Sequence, residues 1–211
     1  MRKFTKQLLF TFLISFYFLN LEKVHSIVPY YYFPSVKNLQ KESFSISKNA
    51  YQLLYFGNYK ESLNLAKLSV KINSRNEKVW LILAETQIAN KLYKNALNSL
   101  KKAQEINPNF SEIYFAKSNV YLKISQQENA KVALKNGLSI EPSNHKAIFQ
   151  LGNILLMEKN YSEAIKLFDK SLKIMPDFWQ AINNKGLAYF EKNKINLSIK
   201  LFEEAIAIED N

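Results

Sequence analysis

Apolar residues along most of this chain recur three and four positions apart, with polar residues between them. Residues 145–158 carry one such set and residues 162–175 carry another, so each set shares one face of a helix. The two sets are Ile148, Leu151, Leu155 and Leu156, then Ile165, Phe168 and Leu172. The pattern therefore predicts pairs of amphipathic α-helices joined by short turns.

The predicted helix pairs return with a fixed period of 34 residues. Five consecutive windows follow it: 43–76, 77–110, 111–144, 145–178 and 179–211. Pro108, Pro142 and Pro176 stand near the ends of three windows, where proline stops a helix. A period of this size predicts a solenoid, because stacked neighbours bury the faces that one pair cannot.

The windows resemble the tetratricopeptide repeat (TPR). The fourth window fits the family pattern with Ile148, Leu151, Gly152, Leu155, Tyr161, Ala164, Phe168, Ser171 and Pro176. The second fits it with Trp80, Leu83, Ala84, Tyr93, Ala96, Leu100, Ala103 and Pro108. The resemblance covers residues 43–211 and implies an all-α fold, a right-handed α-solenoid of about five helix-turn-helix repeats.

The two ends of the repeat array differ. The first window is degenerate, with Asn49 and Ser74 at positions where the family has an apolar residue and proline, which is typical of an amino-terminal cap. The fifth window ends without a polar capping helix, although such caps normally keep solenoids soluble. We therefore expect the native protein to continue past Asn211; the alternative is a solenoid that ends uncapped.

The amino terminus has the pattern of an export signal. Arg2, Lys3 and Lys6 precede an apolar run at 8–21, which is short for a membrane span of about 20 residues. The small-residue rule is met at Ser26, so residues 1–26 are predicted to be a signal peptide cleaved after Ser26. The alternative is an uncleaved anchor, with membrane association through residues 8–21.

Together, the leader and the repeats predict a bacterial, exported TPR protein of the periplasm or an equivalent lumen. In the anchored alternative it faces that same side of the membrane. The chain has no cysteine, which excludes disulfides, thiolate metal sites and a lipoprotein anchor.

Residues 27–42 lie between the leader and the repeats. Pro29 and Pro34 bracket four aromatic residues, which predicts an extended segment. Two roles are open for it. It can pack on the first helix pair as an apolar flap, or it can form a patch for a partner or a membrane interface.

Charge and composition change this picture little. The net charge is +11, of which +3 belongs to the first 26 residues. The lysines are scattered without a dense run, so nucleic acid is not an expected partner. The chain has two histidines and four glycines, and neither set forms a catalytic, metal or phosphate-binding motif. We therefore predict no enzyme activity, no metal and no cofactor.

The family resemblance implies that the first helices line a concave groove. The predicted peptide-binding residues in it are Phe115, Asn119, Phe149, Gln150, Asn153 and Asn184. An amide carries both a donor and an acceptor, so it can match a peptide group. Amides in place of cations argue against capture of a terminal carboxylate.

The function favoured by the sequence is a protein-interaction scaffold. Its groove would hold an extended peptide or a partner helix from another protein. Two alternatives remain open at this point: a membrane-tethered assembly factor, and the non-catalytic TPR arm of a larger enzyme whose catalytic domain follows residue 211.

Overall fold

A computed structural model of the protein describes residues 36–209, and the predicted signal peptide and Ile27–Ser35 lie outside this part. The chain divides into two compact units, Met1–Asn38 and Leu39–Asn211, and only residues 36–38 of the first are described. The described part forms ten α-helices without a strand. The first helices of the pairs are α1 (Val36–Tyr55), α3 (Glu77–Ala89), α5 (Ser111–Lys123), α7 (His145–Met157) and α9 (Trp179–Glu191). The second helices are α2 (Tyr59–Ile72), α4 (Tyr93–Ile106), α6 (Gln127–Ile140), α8 (Tyr161–Ile174) and α10 (Ile195–Glu209).

The prediction of an all-α fold built from consecutive helix-turn-helix pairs is confirmed. The prediction that all of residues 27–42 are extended is wrong for residues 36–42, because α1 already begins at Val36. The physical reason lies in the sequence. The last proline before the repeats is Pro34, and neither proline nor glycine occurs between it and Tyr55 to stop a helix.

Each pair turns through the same backbone conformation. The residues with positive φ recur at the period of the repeat: Gly57, Lys91, Ser125, Lys159 and Asn193, with φ between 59° and 78°. The next N–H bonds five residues back, as from Asn160 to the Leu155 carbonyl at 2.8 Å. This bond pattern is a Schellman motif, which closes the first helix of each pair.

Within a pair, a small residue of the first helix lies against a large residue of the second. A Cβ atom added at Gly152 would lie 2.7 Å from Cε1 of Phe168, whose side chain is fully buried. One added at Gly186 would meet Phe202 at 2.8 Å. The second pair has Ala84 and Leu100 at these two positions. Glycine therefore occurs where the facing residue is phenylalanine, whereas Ala84 and Ser118 occur where it is leucine.

Successive pairs stack through the second helix of one and the first helix of the next. Leu63 and Ile165, which face the following pair, are 9% and 8% exposed. The equivalent Ile199 on α10 is 48% exposed, and Ile206 nearby is 58% exposed. The last helix thus presents the apolar face that the other second helices bury.

Candidate functional site

The first helices lie beside one another, since α3 contacts α5 and α7 contacts α9. We call the surface that carries the predicted peptide-binding residues the first-helix face. It is defined by Phe115, Asn119, Phe149, Gln150, Asn153 and Asn184. The six residues fall into two groups. Two of the four amides are hydrogen-bonded to each other, and the two aromatic rings pack against neighbouring residues of the helix layers.

Two of the predicted amides are brought together. The Asn184 side-chain N–H donates to Oδ1 of Asn153 at 2.8 Å, which joins α9 to α7 across 31 residues of sequence. The Asn183 amide donates in turn to Oδ1 of Asn184 at 3.2 Å. The three amides form a chain whose members each hold the next in orientation.

The Asn153–Asn184 contact fixes the register between first helices. A residue of one first helix lies beside the residue 31 positions later, and we call such a pair a rung. Because the helices repeat with the same period, this contact predicts three further rungs at the same spacing, which makes four along the first helices. They are Tyr51–Ile82, Glu85–Ala116, Asn119–Gln150 and Asn153–Asn184.

The two predicted rings lie partly inside the helix layers. A Cβ atom on Gly137 of α6 would collide with the Phe115 ring, so this ring rests on the backbone of the second helix of its own pair. The Phe149 ring centroid lies 4.9 Å from that of Phe178 and 5.9 Å from that of buried Phe168. Both rings therefore pack partly into the helix layers, and Asn119 is the exposed residue among the six.

Glu85 is a residue of this face that the sequence reasoning did not select. It occupies the place on α3 that Asn119 and Asn153 occupy on later helices, and it is half-buried. Burial raises the pKa of its carboxyl group from 4.5 to about 7. No hydrogen bond or ion pair to another described residue opposes this shift. The signal in the sequence was an acidic residue at the repeat position where the next two pairs have Asn119 and Asn153.

Two lysines on first helices tie successive pairs together. Lys185 of α9 forms an ion pair with Asp169 of α8 at 2.7 Å. Lys117 of α5 donates to the side-chain oxygen of Gln104 on α4, and burial together with the nearby Lys101 lowers its pKa. These cations are held against the preceding second helix.

Groups for metal binding are sparse in this part of the chain. Across residues 36–209, no three His, Asp or Glu side chains lie close enough together to hold a metal ion. The ring centroids of His145 and Phe178 lie 5.2 Å apart in an edge-on arrangement, and the Nε2 atom of His145 is buried without a hydrogen bond to the described residues. Separately, no helix within the described range is long and apolar enough to cross a membrane.

The repeat family is decided by sequence comparison. Models described as tetratricopeptide repeat match residues 77–110, 111–144 and 180–211, and a second one matches residues 145–178. Together they cover more than half of the chain. The chain belongs to the tetratricopeptide repeat family. Among curated proteins, none matches this TPR protein.

Solved structures agree on the fold of this TPR protein. MamA is 24% identical with a TM-score of 0.67, over 76% of this chain and 94% of MamA. YrrB, a TPR protein with an unusual peptide-binding site, is 18% identical with a TM-score of 0.63, over 84% of this chain and 94% of YrrB. PilF of Pseudomonas aeruginosa is 13% identical with a TM-score of 0.74, over 82% of this chain and 78% of PilF. At these identities the likeness shows the fold alone.

The TPR protein should become more stable when Glu85 is made neutral. We expect Glu85→Gln to raise the free energy of unfolding at about pH 8 by roughly 1–3 kcal/mol. The folded chain binds the Glu85 proton with a pKa of about 7, against 4.5 for the ordinary carboxyl group. The folded state therefore holds this proton more tightly, and its stability falls as pH rises between these values. The ionised Glu85 carboxylate lowers the free energy of unfolding by its full amount only above about pH 7.

Urea unfolding at about pH 8 and at about pH 4.5 measures this effect. The gain from Glu85→Gln should shrink to a few tenths of a kcal/mol, about RT ln 2, at the lower pH, where the Glu85 carboxyl group is protonated in the folded state and about half protonated in the unfolded state. Glu163→Gln on α8, where Glu163 is exposed, is the control and should show no comparable pH-dependent gain. An equal gain at both pH values would contradict the burial of the Glu85 carboxylate.

Proposed function

We propose that this TPR protein holds an extended peptide segment of a partner protein against its first-helix face. The observation that carries the proposal is the set of amides on three neighbouring first helices, α5, α7 and α9. Asn119 is exposed, and Asn153 and Gln150 are only half-buried. An extended peptide offers alternating N–H and C=O groups, and these amides can bond both kinds without reading a side chain.

The internal hydrogen bonds leave capacity for such a ligand. Asn153 uses its oxygen towards Asn184, which leaves both of its N–H donors. Asn184 retains one N–H and one lone pair on its oxygen. The chain of amides thus orients these groups before a ligand arrives, which reduces the entropy lost on binding.

Membership of the TPR family supports a role in protein–protein interaction. The structurally similar YrrB has a peptide-binding site, which supports a peptide as the ligand class here. We also propose that the protein is exported, on the strength of the leader sequence 1–26, which lies outside the described residues. The membrane-tethered alternative rests on residues 8–21, which also lie outside the described residues.

Site-specific photo-crosslinking tests where a peptide binds. Peptides would first be selected from a phage-displayed random library with the purified protein. The photoreactive residue p-benzoylphenylalanine would then replace Gln150 on the first-helix face, Lys166 on α8 or Ile206 on α10. We expect the selected peptides to crosslink at position 150 and not at 166.

Two outcomes would overturn the proposal. Crosslinking at position 206 without crosslinking at 150 would place the peptide on the exposed apolar face of α10. Failure of the library to yield any binding peptide would remove the peptide as the ligand class. Circular dichroism of each substituted protein checks that it keeps its helices.

A further inference from the structure

We propose that the Glu85–Ala116 rung is a specificity subsite that receives a lysine or arginine side chain of the bound peptide. The proposal rests on the proposed function, because it assigns a side-chain preference to a peptide held on the same face. It divides the face into two parts. The amides of α5, α7 and α9 bond the peptide backbone, and the carboxylate of α3 reads one basic residue.

The position of the subsite follows from the register of the Asn153–Asn184 contact. Asn153 and Asn184 touch at 2.8 Å, and Glu85 and Ala116 occupy the equivalent places two pairs earlier. The helices that carry them, α3 and α5, contact one another. At the other rung the facing residue is an amide that donates to its neighbour. Ala116 ends at its Cβ atom, so it supplies no donor to the carboxylate and is smaller than the asparagine at the equivalent place of the later rung.

The protein does not neutralise Glu85 by itself. The Lys48 ammonium group lies 4.9 Å from the centre of the Phe44 ring, and that of Lys78 lies 5.9 Å from the centre of Phe110. Lys117 donates to Gln104. These three cations are thus directed to other groups, and burial without a partner keeps the pKa of Glu85 high, at about 7.

A cation of the ligand would supply the ion pair that the Glu85 carboxylate lacks within the described part of the protein. Burial has already removed much of the water around the carboxylate, so a cation that approaches it meets a strong, weakly screened charge. Ammonium and guanidinium groups form charge-assisted hydrogen bonds to a carboxylate, which are about twice as strong as neutral ones. The next rung offers apolar surface for the aliphatic stem of a lysine or arginine, since Tyr51 is 50% exposed and Ile82 is half-buried.

The experiment is a phage-displayed random-peptide selection on the wild-type protein and on three variants. Glu85→Gln removes the charge and keeps the shape. Ala116→Lys places a cation of the protein itself beside the carboxylate, so it fills the subsite from within. Glu163→Gln, on a second helix, is the matched control. Binding of each selected peptide is then measured by fluorescence anisotropy.

We expect the wild-type protein and Glu163→Gln to select peptides with lysine or arginine at one constant place. Both Glu85→Gln and Ala116→Lys should lose this preference. A wild-type-selected peptide should bind Glu85→Gln roughly tenfold or more weakly, the usual size for a hydrogen bond to a charged group. Replacing its basic residue by norleucine should cause a similar loss in the wild-type protein and little further loss in Glu85→Gln.

The possible failures are distinguishable. If binding peptides crosslink to the first-helix face but show no basic preference, the subsite is wrong and the proposed function stands. If the basic preference survives in both variants, another carboxylate reads the ligand and the subsite is again wrong. If no peptide is selected, both proposals are overturned. Thermal unfolding of each variant shows whether a loss of binding reflects a loss of fold.

Discussion

Gly152→Leu should destabilise the protein by about 3 kcal/mol, the upper part of the usual range for overpacking a core. A Cβ atom at this position already falls 2.7 Å from the ring of Phe168. That ring is fully buried and packs against Phe149, so it has no space into which it can move. Helix propensity alone predicts the opposite sign, because leucine forms helices better than glycine. Urea unfolding, followed by circular dichroism, measures the change.

Two companion variants show whether the loss comes from the helix contact. Lys170→Gln on the exposed side of α8 should change the free energy of unfolding little. The double variant Gly152→Ala with Phe168→Leu reproduces the Ala84 and Leu100 arrangement of the second pair, so it should be markedly more stable than Gly152→Leu. Equal stability of Gly152→Leu and the wild type would contradict the close approach of α7 and α8.

The triple variant Asn119→Ala, Asn153→Ala, Asn184→Ala should lose peptide binding while staying folded. Each amide that no longer bonds the peptide leaves a peptide group unpaired, at roughly 1–3 kcal/mol for a buried group. Three such losses weaken binding by more than about a hundredfold. The fold should tolerate the change, because Asn153 and Asn184 bond each other and removing both partners together leaves neither unpaired. The Asn183 amide loses its acceptor, but Asn183 is only half-buried, so water can replace that bond.

Fluorescence anisotropy with a selected peptide measures the loss, and the thermal midpoint measures the fold. Lys166→Ala on α8 is the control, and it should bind the peptide as the wild type does. Unchanged affinity in the triple variant would move the binding site away from the amides. If substitutions in the aromatic segment 30–33 abolish binding instead, that segment carries the interaction.

The arrangement of the helices could be read from the sequence. Apolar spacing and proline act over a few residues, so they mark helices wherever they occur. The fixed period then specifies stacking, because each pair needs a neighbour to bury its second face. The sequence analysis did not predict that α1 begins at Val36. The period marks only the bounds of a repeat, whereas a helix continues beyond them until a residue such as proline stops it.

The site needed the tertiary structure. The sequence named the six residues of the first-helix face, but it could not show that the Phe115 ring rests on Gly137. Nor could it show that Asn184 reaches Asn153, because these side chains belong to different helix pairs.

The charge state of Glu85 illustrates the same division most clearly. Its presence at the repeat position that holds asparagine in the next two pairs is a fact of the sequence. The raised pKa of its carboxyl group is a fact of packing, because desolvation depends on what the neighbouring helices place around it. The sequence by itself determined the helices, their pairing and their order. Only the tertiary structure decided which side chains of that face are bonded, which are covered, and that the Glu85 carboxylate is buried without an ion-pair partner among the described residues, since these depend on contacts between residues far apart in the chain.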